Sequence, residues 1–258
     1  MQETFEKTKN WFETYVEGFF TNDSINNSII RLKLDHTHRV CHNAAILADA
    51  LKLNSQDHLN ARLTALLHDV GRFRQFSLYQ TFNDAVSDNH ALMGIREIEC
   101  HGVLDGLDAE DRRLICRAIA CHNVPALPEE KDERSLLFMR LIRDADKLDV
   151  YKVLLQNYRD QDRDSRNTVL HKLPDTPHCS PKILDALLGR KVAKFEDMKT
   201  LNDFKLLKVG WVYDLNFSAS FKILQHHRYI EQLKEILPTT EPVTTAVDQA
   251  LAYVASRL

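Results

Sequence analysis

"LLHDVGRFRQF", residues 66–76, decides how this 258-residue chain is read. It places an imidazole beside a carboxylate, His68 and Asp69, inside the apolar end of a helical pattern. A bare carboxylate is expensive to bury, so this pair needs a partner, and a cation is the natural one. Gly71 reads as the residue that stops the helix begun near residue 57, because glycine commonly follows a helix C-terminus.

Outward from this stretch the pattern stays helical. Toward the N-terminus, Val40, Ala44, Leu47 and Leu51 share one face of a helix over about 35–52. Before it, "TNDSINNS" (21–28) breaks an aromatic-rich helical segment carrying Phe5, Trp11, Phe12, Tyr15 and Phe19. Toward the C-terminus, 77–88 reads as a polar loop, and helices follow at about 89–101, 108–123 and 133–158. Residues 159–181 contain Pro174, Pro177 and Pro181 and read as a connector. Further helices are expected near 181–189, 203–209, 214–236 and 243–257. With only 7 Gly and 7 Pro, the composition suits an all-α fold and offers few turns for β-hairpins. The expected organisation is an N-terminal helix (1–30), a central core (31–158), and a connector with a C-terminal helical annex (159–258).

Composition also narrows the function. A net charge of −3 gives no support to a nucleic-acid partner. Five cysteines without a Cys-x-x-Cys pair argue against a disulfide framework and for a reducing compartment. The polar N-terminus is wrong for a secretory signal, and no apolar run is long enough to span a membrane. The expectation is a soluble cytoplasmic protein, with self-association left open.

Histidines and carboxylates recur at the ends and interiors of successive helices: His38, the His68–Asp69 pair, His90, His122 and Asp146. Their settings are "HTHRVCHNAAILADAL" (36–51), "LLHDVGRF" (66–73), "NHALMGIREI" (89–98) and "RDADKLD" (143–149). In this order and apolar context the chain resembles the HD superfamily of metal-dependent phosphohydrolases, whose signature is H…HD…D on a helical core. The resemblance spans roughly 35–150. It implies that His38, His68, Asp69 and Asp146 hold one metal, and that Asp69, His90 and His122 hold a second.

Chemistry gives the same residues a purpose. A mixed imidazole and carboxylate set suits Mn²⁺, Fe²⁺, Co²⁺, Ni²⁺ or Zn²⁺ better than Mg²⁺, although Mg²⁺ is admitted. One or two ions are expected per chain. Neighbouring side chains on a helix diverge by about 100°, so His68 and Asp69 cannot both aim straight at one point. Two carboxylate oxygens nevertheless allow Asp69 to bridge two ions. Taken singly, His90 or His122 reads as a hydrogen-bonded core or cap residue. His42, four residues after His38, reads as a bystander, and His36 as a weaker competitor for the role of His38.

Substrate cues follow the dipeptide. Arg72 matches the basic position that commonly follows "HDxG" in related hydrolases, and guanidinium forks grip phosphate oxygens. Arg74, Lys147 and Asp84 complete the expected substrate contacts, with Asp69, Arg72 and Lys147 assigned to catalysis. Asp84 is also read as an acceptor for a ligand histidine. Asn123 follows His122 and no Gly-Tyr-Pro occurs, which speaks against cyclic-dinucleotide HD-GYP chemistry. The expected substrate is a nucleotide or another small phosphorylated metabolite. The alternatives are an HD-type di-iron oxygenase and a non-catalytic, metal-containing regulatory module.

Overall fold

The structure, a computed structural model, describes residues 2–159 and 173–258. It is all-α, with no strand among the described residues. Part of the connector expected over 159–181 lies outside the described residues. The chain divides into two compact units, Met1–Asp149 and Val150–Leu258.

In the first unit the helices are α1 (Gln2–Glu17), α2 (Ser24–Ala50), α3 (Ser55–Leu67), α4 (Val70–Tyr79), α5 (His90–Cys100) and α6 (Ala109–Cys121). The N-terminal part of α7 (Glu133–Arg159) completes it. Short polar side chains set most of the starts. Asp23 accepts from the amides of Ile25 and Asn26, so α2 begins well before residue 35, where the apolar pattern becomes visible. Asn54, Asn89 and Asp108 cap α3, α5 and α6 in the same way. The core joins Phe12 and Val16 of α1 to Leu63, Leu66 and Leu67 of α3, Val70 and Phe73 of α4, and Ile115 and Ile119 of α6. Each such burial stabilises the fold by about 1.5–3 kcal/mol. Helix α3 is central, packing against α1, α2 and α6, while α5 packs against α4 and α6.

The sequence reading errs at Gly71. The residue does not stop α3, because it lies inside α4, a helix that replaces the start of the expected 77–88 loop. A Cβ there would lie 2.1 Å from the His90 carbonyl oxygen and 2.5 Å from the Gly94 amide nitrogen. Glycine is required because α4 and α5 approach backbone to backbone.

The second unit contains α8 (Pro181–Leu188), α9 (Leu201–Gly210), α10 (Ser218–His226), α11 (Tyr229–Glu235) and α12 (Glu241–Ala255). Thr200 and Asp203 form a reciprocal capping box on α9, and the Asp203 carboxylate also accepts from Ser180. The single helix expected over 214–236 is broken, because Arg228 takes a left-handed conformation (φ 54°) between α10 and α11. No described helix is long and apolar enough to cross a membrane.

Candidate metal centre

Helix α3 ends at Leu67 and α4 begins at Val70, which leaves His68 and Asp69 in the break. There Asp69 holds φ −107° and ψ 12°. Its backbone carbonyl accepts from Arg72 N at 2.9 Å, while its side chain makes no capping bond to α4. Both carboxylate oxygens are thereby left to other partners.

Four buried imidazoles surround those oxygens. Around Oδ2 stand His36 Nε2 at 3.6 Å and His68 Nε2 at 3.7 Å. Around Oδ1 stand His90 Nε2 at 3.3 Å and His122 Nε2 at 3.7 Å. From α7, Asp146 Oδ1 lies 3.2 Å from His36 Nε2 and 3.9 Å from His68 Nε2. Two overlapping groups, His36–His68–Asp69 and Asp69–His90–His122, bring their donor atoms close enough to share a metal ion each.

The far side of every ring is tethered. His68 Nδ1 and His122 Nδ1 donate to the carbonyls of Ala65 and Ile119, each at 2.7 Å. A carbonyl can only accept, so the proton sits on Nδ1 and the Nε2 lone pair faces Asp69. His90 Nδ1 is 2.7 Å from Asp84 Oδ2, and His36 Nδ1 is 2.7 Å from Asp149 Oδ2. Arg39 in turn grips Asp149 through two nitrogens at 2.6 and 3.1 Å. This is the arrangement that fixes imidazoles as ligands.

The inner face has acceptors in excess. His90 Nε2 and His122 Nε2 face each other at 3.0 Å. The Nε2 atoms of His36 and His68 are buried without an aligned hydrogen-bond partner. Burial pushes the His68 ring down to about 4, and burial together with the Arg72 charge lowers His90. These rings therefore stay neutral near pH 7 and offer lone pairs. His36 differs. Burial and Lys33 push it down, but Asp146 and Asp149 outweigh them and leave it raised. Burial disfavours the Asp69 charge, yet Lys33 and the surrounding histidines hold its carboxyl well below the ordinary range. Asp146 is likewise lowered, by His36 and His68 against the cost of burial. Orphaned lone pairs converging on two ionised carboxylates fit divalent cations.

The structure rearranges several sequence-based assignments. Helix α2 contributes His36, not His38. Two residues along a helix is about 200°, so the rings project from opposite sides. His38 instead lies against Phe12 and 3.8 Å from Glu13 of α1. Counting back four residues from Val40 along the apolar face reaches His36, the signal that sequence reading passed over. Asp84 is not available to a substrate. Its two oxygens are occupied by His90, Arg72, Gln75 and Asn123. Arg74 is exposed on α4, and its charge bears on Tyr15 rather than on the cluster. Arg72 stays at the centre, with Nε 3.5 Å from Asp69 Oδ1 and a terminal nitrogen held by Asp84, Gln75 and the Phe82 carbonyl. Lys147 is buried one residue after Asp146 on α7. Lys33, unremarked in the sequence, places its ammonium 2.7 Å from Asp69 Oδ2.

Residues 34–151 match the family model described as HD domain. No curated protein and no solved structure matches the chain. The matched segment contains all four inward-facing imidazoles and both carboxylates. The chain thus carries an HD domain at residues 34–151.

Proposed function

We propose that the protein is a metal-dependent phosphohydrolase acting on a small phosphorylated metabolite. One observation carries the reading: four imidazole Nε2 atoms converge on Asp69 and Asp146, while cationic Lys33 and Arg72 stand at the two oxygens of Asp69. His36, His68, Asp69 and Asp146 would hold one divalent ion, and Asp69, His90 and His122 a second. Such ions supply Lewis acidity and lower the pKa of water, which suits attack on phosphorus.

The chain's own residues do the rest. The Ala65 and Ile119 carbonyls keep the His68 and His122 protons on Nδ1, and Asp149 and Asp84 hold the outer nitrogens of His36 and His90, so that each ring turns Nε2 inward. Arg72, braced by Asp84 and Gln75, is positioned to meet negative charge on a phosphoryl oxygen. The floor of histidines is buried, which excludes bulk water and strengthens these interactions.

The test is elemental analysis of unchelated protein beside an anaerobic phosphate-release screen over nucleotides and sugar phosphates. Bound transition metal with oxygen-independent phosphate release, both lost in Asp69→Ala, is the expected result. Oxygen uptake in place of phosphate release would move the assignment to a di-iron oxygenase.

A further inference from the structure

We propose that Lys33 is a substrate-binding residue whose ammonium holds an anionic oxygen of the phosphoryl group. The inference deepens the phosphohydrolase reading and rests on it.

Lys33 precedes His36 by three residues on α2, about one turn, so both side chains leave the same face and reach the same oxygen, Asp69 Oδ2. Arg72 lies at the other oxygen. Both cations rest near one aromatic ring: Lys33 Nζ is 5.4 Å and Arg72 Cζ 5.8 Å from the centroid of Phe82. Phe82 thus lies beside both positive groups. Exposure separates rim from floor. The side chains of Lys33 and Arg72 are 17% and 15% exposed, whereas those of His36, His68, His90 and His122 are 5% or less. A molecule arriving from solvent meets the cations before the imidazoles.

Charge then decides what that molecule is. The two histidine groups share Asp69, so a pair of divalent ions would take up both of its oxygens. Lys33 would be left as a cation beside cations. The ions, Lys33 and Arg72 together would exceed the charges of Asp69, Asp84 and Asp146, and the excess calls for an anion of more than one charge. A phosphate monoester or terminal phosphate, a dianion at neutral pH, satisfies this better than a singly charged diester.

The alternative role for Lys33 is to hold Asp69 in place, and one experiment separates the two. Wild type, K33M, K33Q and K33R are loaded with Mn²⁺. Bound metal is measured by elemental analysis, folding by circular dichroism melts, and affinity for inorganic phosphate by calorimetry. K33M should keep its metal and bind phosphate about 10- to 100-fold more weakly, the loss expected for one charge-assisted hydrogen bond. K33R should recover most of that loss, and K33Q repeats the comparison if K33M melts early. Equal phosphate affinity in wild type and the folded neutral variant overturns the assignment but leaves the phosphohydrolase reading intact. Loss of metal in the neutral variants makes Lys33 a positioning residue for Asp69 and also overturns it. Wild-type protein that holds metal but binds no phosphate removes both.

Discussion

Replacing His36 and His38 one at a time separates the geometry of α2 from its sequence pattern. His36 is buried between Asp146 and Asp149 and presents Nε2 to Asp69, whereas the His38 ring is 40% exposed. Losing a residue that merely orients a ligand costs about 10- to 100-fold in metal affinity, so losing the imidazole itself should cost at least about 100-fold. Calorimetric titration of chelator-stripped protein with Mn²⁺ or Zn²⁺ should therefore lose one binding event in His36→Ala and none in His38→Ala. The metal-free fold responds with its own sign. Because His36 is raised above its ordinary 6.5, its stabilising contribution is complete below pH 6.5 and fades as pH rises through the folded value. Removing it leaves buried carboxylates short of a partner, at a cost of about 1–3 kcal/mol near pH 6 and less near pH 8. His38→Ala should stay within about 0.5 kcal/mol at either pH. An intact isotherm in His36→Ala, or a missing event in His38→Ala, would refute the ligand assignment.

Three further outcomes follow from the same contacts. Asp84→Asn removes the carboxylate that orients His90 and braces Arg72, so ion affinity at the Asp69–His90–His122 group should fall about 10- to 100-fold while the fold persists, read by calorimetry. Gly71→Ala forces a methyl group into the backbone of α5 and should cost about 3 kcal/mol or more in chemical denaturation; a variant as stable as wild type would mean that α4 and α5 are not so close. Acidification of protein loaded with metal at both proposed groups should empty those groups in order, following the histidine protonation of the metal-free chain. His36 takes up a proton above 6.5, whereas His68, at about 4, and the lowered His90 stay neutral further down. The His36-containing group should empty first, with simultaneous loss of both ions as the contrary result in equilibrium dialysis.

Much of this was legible in the residues because it depends on local rules. Apart from α4 the helices of the first unit are legible, and the ranges expected for α3, α5 and α6 end within about three residues of the observed ones. Those rules fail where tertiary contact overrides them. Gly71 carries a strong stop signal by itself, and only the nearness of His90 and Gly94 of α5 shows why a glycine sits within a helix. As a string the motif favours His38 over His36; the helix, with its turn of 3.6 residues, distinguishes the two. Lys33 left no trace beyond one lysine among many, since its meaning lies in a carboxylate 36 positions later. Arg74 resembled Arg72 by adjacency, yet the same two-residue offset turns it away from the centre.

The break between α3 and α4 shows how function and stability compete at a single residue. Asp23, Asn54, Asn89 and Asp108 each spend a side-chain oxygen on the first amides of a helix. Such a cap is worth about 1 kcal/mol. Asp69 stands at the equivalent position of α4 and makes no such bond. Its oxygens face four imidazoles, a lysine and an arginine instead. A carboxylate inside a continuous helix would project from one face and could not be met from α2, α5 and α6 together. The two-residue interruption frees the side chain, and Gly71 then lets α4 close against α5 so that His90 arrives at the second oxygen. The local rule is broken at the one position where an unspent carboxylate is needed, which is the physical reason to place the chemistry there.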